Sequence, residues 1–452
     1  MRRTCGRLRR LALAAALGLA PSLAEADPDA SAPAAADPPT PQTWAAHVQA
    51  TVVAQGNAGF HAPFQGPNSL DSDANGRETA DVTLYLGFRP WAGAEVWIDA
   101  EIDQGFGLSN TLGVAGFPSG EAYKVGAVTP YPKLPRAFLR QTIDLGGDSQ
   151  PVDADLNQLA GAQTANRLVL TVGKFSVVDV FDTNQYAHDP RGDFLNWSLI
   201  DAGTFDYAAN AWGYTYGAAA ELYAGRWALR GGVFDLSAVP NSVELDPTFG
   251  QFQLVGEIEE DHAIAGQPGS MKLTGFLSRG RMGAFADAIA LSEATGQPAS
   301  VALVRQYRSR PGLSLDVQQQ LADGLGAFVR AGWADGDVEP YEFADIDDTV
   351  SGGLALAGKR WGRPDDTVAI AGVVNQISAI HQAYLNDGGL GILVGDGRLP
   401  HPGPEQIVES YYEIAALKAL KVTLDYQLVV NPAYDRDRGP VSIGAVRFHT
   451  QF

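Results

Sequence analysis

The sequence predicts an all-β protein: a transmembrane antiparallel β-barrel of about 16 strands, with long outer loops and short helical loop segments. Three observations lead there. Apolar and polar residues alternate with a two-residue period in segment after segment. After the N-terminal region, no stretch offers the ~18 consecutive apolar residues of a spanning helix. The chain stops at "VRFHTQF", with Val446, Phe448, Thr450 and Phe452 on one face, as expected of a final lipid-facing strand.

The elements follow in chain order. Arg2, Arg3, Arg7, Arg9 and Arg10 precede the apolar run Leu11–Ala20, and the small-residue site Ala24-Glu25-Ala26 follows, so residues 1–26 read as a cleaved secretory signal. Cys5, the one cysteine, lies ahead of the apolar run and is not placed for lipidation. Residues 27–42, "DPDASAPAAADPPTPQ", read as a flexible Pro/Ala-rich leader. Residues 43–452 have a uniform texture and are expected to form one barrel domain. A soluble core divides beyond ~250–300 residues, whereas a barrel grows by adding strands.

Trp44, Ala46, Val48, Ala50, Val52 and Ala54 form the apolar face of the first strand. Ala80, Val82, Leu84, Leu86 and Phe88 form that of the second, and Ala94, Val96, Ile98, Ala100 and Ile102 that of the third. Similar segments continue at 135–144, 166–175, 212–224, 226–236, 250–260, 270–279, 312–322, 324–334, 348–358, 366–376, 406–416, 418–430 and 441–452. Each approaches the ~9–11 residues that cross a bilayer at a tilt, and an even count suits closure. Trp91, Trp227, Trp333, Trp361 and Tyr426 are placed as interfacial girdles. Two loop segments have helical spacing: 282–296, and the start of 377–395, which stops at Gly388-Gly389.

Composition and motifs exclude several functions. Removal of residues 1–26 takes five of 32 basic and one of 52 acidic residues and leaves a formal charge of −24, which opposes nucleic-acid binding. An exported chain without cysteine is no disulfide scaffold. The seven histidines include no pair at metal-ligand spacing, "GGLGILVGDG" lacks a phosphate-cradle pattern, and no G-x-S-x-G elbow occurs, so neither cofactor nor metal is expected.

The candidate site residues are polar groups that a barrel directs inward. Glu95, Asp99, Glu101 and Asp103 alternate with the apolar face of the third strand, and a lipid face penalises charge. Arg136 and Arg140 answer them from the fourth strand, with Arg167, Glu221 and Arg330 beyond. Opposed acids and bases across a narrow lumen would order water and select permeants. The stretch 175–207 is too long and too rich in aromatic, amide and acidic residues for an idle turn. Folded inward, it would offer Asn184, Asp189, Arg191, Asp193, Asn196 and Trp197 to the pore. Within it, "HDPRGDFLNW" contains Arg-Gly-Asp; a turn started by Asp189-Pro190, freed by Gly192 and closed by local Arg191–Asp193 pairing is expected, and an adhesive role is not.

Several pieces together, "NQYAHDPRGDFLNWSLIDAGTFDY", "WGYTYGAAAELY", "AIHQAYLNDGGLGILVGDG", "YYEIAALKALKVTLDYQLVVNPAYDRDRGP" and "VRFHTQF", resemble the carbohydrate-selective porins of Gram-negative outer membranes. The resemblance covers most of residues 43–452 in order. It implies a 16-stranded barrel in outer-membrane lipid that passes small saccharides of the glucose type by passive diffusion. The terminal Phe452 itself looks like the signal read by the outer-membrane assembly machinery. A homotrimer is compatible with the resemblance, although no interface is legible in the sequence. Two rival readings stay open: a general or cation-preferring porin, and a surface enzyme or adhesin built on a barrel.

Overall fold

The computed structural model describes residues 41–122 and 126–452, so the proposed signal and nearly all of the leader lie outside the described residues. Sixteen strands form one closed sheet in which every strand pairs antiparallel with its neighbours in sequence. They are β1 (Trp44–Asn57), β2 (Asn75–Phe88), β3 (Ala94–Gly105), β4 (Ala127–Val152), β5 (Gly161–Phe175), β6 (Thr215–Ala224), β7 (Trp227–Asp235) and β8 (Phe252–Ile264). The second half comprises β9 (Gln267–Met282), β10 (Gln306–Ala322), β11 (Leu325–Ala334), β12 (Asp348–Ala357), β13 (Thr367–Gln376), β14 (Glu405–Leu417), β15 (Leu420–Val430) and β16 (Val441–Gln451). β1 closes on β16 in the register Val52↔Phe448, and Phe452 exchanges backbone hydrogen bonds with Val48 at 2.9 and 3.2 Å. Among the described residues no sheet edge is left open, as a lipid-embedded backbone requires.

The two-residue period does what the sequence predicts. In β1 to β3 the outward side chains include Val52, Val82, Leu84, Ile98 and Ile102, all exposed, whereas Tyr85, Asp99 and Glu101 point inward and are buried. Trp91, Trp227, Trp333, Trp361 and Tyr426 are all exposed. Among the described residues no helix is long and apolar enough to cross a membrane. The sequence undercuts β4 most: 135–144 is only the middle of a 26-residue strand. Beyond Asp144 the hairpin with β5 continues through two register shifts as an exposed polar ribbon, where no lipid imposes alternation.

All long connections leave one end of the barrel, and short turns close the other. The predicted helical segments appear in two loop-end connections as α2 (Phe285–Thr295) and α3 (Ala379–Asn386); α1 (Trp197–Ile200) lies in the connection from β5 to β6. The buried core sits inside the barrel. Phe181, Phe194, Leu199 and Phe205 from residues 176–214 join Tyr341 and Tyr434 from later loops, all fully or almost fully buried. Long loops therefore fold inward and fill much of the lumen.

Candidate functional site: a loop-narrowed lumen

Residues 176–214 reach the barrel interior because wall side chains satisfy their backbone. Arg330 on β11 donates to the carbonyls of Leu199 (2.7 Å), Ala187 (2.8 Å) and Asp182 (3.1 Å). Glu409 on β14 accepts the N–H groups of Leu195 (2.5 Å) and Asn196 (2.9 Å). Arg447 on β16 donates to the carbonyls of Pro190 (2.6 Å) and Asp193 (2.8 Å). A loop without sheet partners must find such groups when buried, and the wall side chains supply them. At β11, Gly326 makes room for the loop: a Cβ there would lie 2.0 Å from the Tyr186 ring.

The segment "HDPRGD" is a hydrogen-bonded turn. Asp189 accepts the N–H of Arg191 at its carboxylate (2.9 Å) and that of Asp193 at its carbonyl (2.7 Å). Asp193 accepts the N–H groups of His188 (2.9 Å) and Asp189 (3.0 Å). The expected Arg191–Asp193 pairing gives way to other partners. Arg191 reaches Glu121 at 3.3 Å, Asp81 at 3.5 Å and Glu101 at 3.6 Å, because Asp193 is occupied by the turn. Nor does local geometry demand Gly192: its backbone lies outside the left-handed region, and a Cβ there would stand in open space. The Arg-Gly-Asp tripeptide is engaged in these contacts within the lumen.

The acids of β3 are answered by basic residues of the adjacent strand β4, the strand from which the sequence draws Arg136 and Arg140. Glu101 meets Lys133 at 2.8 Å, Asp99 meets Arg136 at 3.7 Å and Glu95 meets Arg140 at 3.7 Å, following the cross-strand register. This pairing offsets charge along the β3–β4 wall. Arg136 then turns to the loop, where its Nε and Nη2 donate to the two carboxylate oxygens of Asp179 at 2.8 and 2.6 Å.

Two cavities approach each other along this side of the lumen. The one nearer the loop end has a volume of about 200 Å³ and is walled by Glu121, Trp197, Tyr207, Trp212 and Tyr214. The one toward the turn end has a volume of about 610 Å³ and is walled by Arg140, Asn157, Arg167, Glu221 and Tyr223. Both are lined by Arg136, Asp179, His188, Asp189 and Arg191, which therefore mark the narrow zone between them. Burial opposes ionisation of Asp179, yet the Arg136 guanidinium and the hydrogen bonds from Arg136 and Ser176 hold its carboxyl below the usual range. Asp189 is likewise held low against burial, by Arg191. Burial, with the Arg330 charge behind it, lowers the His188 imidazole. At neutral pH the narrow zone thus carries two guanidinium groups, two carboxylates and a neutral imidazole.

Of the fifteen sequence candidates, Arg136, Arg140, Arg167, Asp189, Arg191, Trp197 and Glu221 line one or both cavities. Glu101 lines a small recess beside Arg191. Glu95 and Asp99 orient neighbours: Glu95 accepts Trp97 Nε1–H (3.1 Å), and Asp99 accepts Asn157 Nδ2–H (3.0 Å). Asn184 is spent on Asp316 (2.7 Å), Asn196 caps α1 by accepting Ser198 N–H (3.1 Å), and Asp193 closes the turn. Sequence reasoning passes over Asp179, His188, Tyr214 and Tyr223. Asp179 and His188 both stand in the stretch 175–207 that the sequence singles out, but neither is picked from it.

A closed sixteen-stranded barrel narrowed by its own loop defines a porin, a passive channel of the outer membrane. A family model described as "Carbohydrate-selective porin, OprB family" matches residues 68–452, and the chain belongs to this family. It is a carbohydrate-selective diffusion channel. The high-pH structure of OprB from Pseudomonas putida has the same fold, with a TM-score of 0.69 at 14% identity, covering 91% of this chain and 94% of that one. The outer-membrane channel DcaP of Acinetobacter baumannii is more distant, with a TM-score of 0.51 at 10% identity and coverage of 90% and 97%. Comparison with curated proteins finds no match.

Proposed function

We propose that the channel passes small neutral saccharides of hexose size, glucose among them, and selects them in the zone bounded by Arg136, Asp179, His188, Asp189 and Arg191. The observation that carries this reading is the convergence of both cavities on these five residues. Their charges balance, so the zone attracts neither cations nor anions strongly and offers fixed donors and acceptors to hydroxyl groups. Aromatic residues flank it on both sides. Trp197 stacks on Phe117 at 5.3 Å beside the outer cavity, and Arg167 lies over Tyr223 at 3.7 Å beside the inner one. Residues 1–26 direct export and are cleaved, and the exposed aromatic belts seat the barrel in outer-membrane lipid.

Liposomes containing the purified porin test the proposal. Glucose should cause swelling and reduce single-channel ion current, and a neutral disaccharide should permeate more slowly. If glucose leaves the current unchanged while ions pass freely, the channel is a general pore and the proposed selectivity falls.

A further inference from the structure

The loops at the mouth enclose a further cavity of about 430 Å³ that shares no lining residue with the two pore cavities. It lies between the connections β7–β8, β9–β10, β11–β12 and β13–β14. Its size falls in the ~300–1,000 Å³ range of small-molecule sites. Its polar feature is a held pair. Arg305 donates through Nε and Nη2 to the two carboxylate oxygens of Glu339 at 2.7 and 2.8 Å. Glu339 also accepts Gly283 N–H at 2.6 Å, so the fork is fixed to the backbone. Arg305 Nη1 makes no hydrogen bond among the described residues. Apolar ledges from Pro298, Pro340 and Leu390 stand beside it.

We infer that this cavity is a capture site for a neutral saccharide, distinct from the narrow zone of the pore. The inference rests on the sugar-channel reading. A pyranose presents hydroxyls to a fixed donor and C–H faces to apolar ledges, and the cavity offers both. Glu339 and Asp345 outnumber Arg305 around it, which opposes anionic ligands. The site lies at the loop end, and sugar held there is at raised local concentration near the mouth.

Two variants test the site without touching the pore. Ala302 is exposed on the cavity's lining, so Ala302→Trp fills the space at little cost to folding. Arg305→Gln removes the fork. In planar bilayers both should keep the parent's conductance without sugar. With glucose on the loop side, the association rate of current block should fall about threefold, a change in on-rate within the span seen among variants of one binding surface. The dwell time of each block, and block by glucose from the turn side, should stay unchanged. Gluconate should not compete with glucose for the site. Crystals of the parent soaked in glucose should hold the sugar beside Arg305, and crystals of Ala302→Trp should not. Unaltered loop-side association in both variants, or an empty cavity in crystals whose pore holds glucose, overturns the capture site and leaves the sugar channel standing. Failure of glucose to block the parent at all overturns both.

Discussion

Arg191 sits among Glu121, Asp81 and Glu101 at 3.3–3.6 Å, where its guanidinium offsets their charge. Arg191→Ala removes one guanidinium from the narrow zone and leaves Asp189 unanswered there. A unit charge at ~4 Å is worth ~1–4 kcal/mol between bulk water and a protein surface. The cation-to-anion permeability ratio, read from the reversal potential in a salt gradient, should therefore rise at least about fivefold. Conductance should rise with it, because the long side chain no longer narrows the path. His188 provides a pH test at the same place. Its imidazole is held below the ordinary histidine range, first by burial and then by Arg330, against the pull of Asp189 and Asp179. A lowered base stays neutral above its usual titration and takes a proton only below it. The parent and His188→Gln should thus have equal ion selectivity at a pH of about 7.5, a unit above the ordinary histidine value. The parent should become the more anion-selective only well below a pH of about 6.5, so a difference already present at the higher pH contradicts a neutral His188.

The connection from β5 to β6 behaves as an internal element, held by the wall rather than by a sheet ladder. This explains why its side chains are harder to read than its position. Length and composition announce that residues 175–207 do something, and seven of the fifteen candidate residues line a pore cavity. Asn184 and Asn196 have the chemistry of sugar ligands, yet both are consumed in holding the loop inside the barrel. A buried irregular segment needs many such bonds, and no pattern in the sequence separates amides that brace from amides that bind. Asp179 escapes notice for the converse reason: it becomes significant only through Arg136, 43 residues away. The bracing itself is testable. Glu409→Ala strands the N–H groups of Leu195 and Asn196, each at a cost of ~1–3 kcal/mol when buried. The barrel should persist by heat-modified gel mobility. Single-channel records should show excess open-channel noise and leakage of the neutral disaccharide, and a quiet, parent-like trace would show that the loop does not depend on this anchor.

At the scale of the whole molecule the sequence is read through its solvent. Lipid on one side and a polar lumen on the other impose the strict alternation by which the order and number of strands are legible. Where that constraint lapses the reading lapses too, as in the polar ribbon from Asp144 to Val152, which projects beyond the alternating part of β4. The loops carry no comparable rule, so the filling of the lumen by Phe181, Phe194 and Phe205 is visible only in the fold. This two-solvent logic predicts an asymmetry between neighbouring faces. Val52 points outward near the middle of β1, paired with Ala80 and Phe448. Val52→Arg places a guanidinium in hydrocarbon and should destabilise the barrel by ~2–4 kcal/mol if the site lies at the midplane. Gln163, on β5, lines the wide inner cavity. Gln163→Arg adds the same side chain to a wet polar space and should change stability by less than ~1 kcal/mol. Urea unfolding in lipid vesicles, followed by Trp fluorescence, measures both. Equal losses in the two variants would mean that the outward face of β1 does not meet lipid, and the transmembrane assignment of this seam would fail.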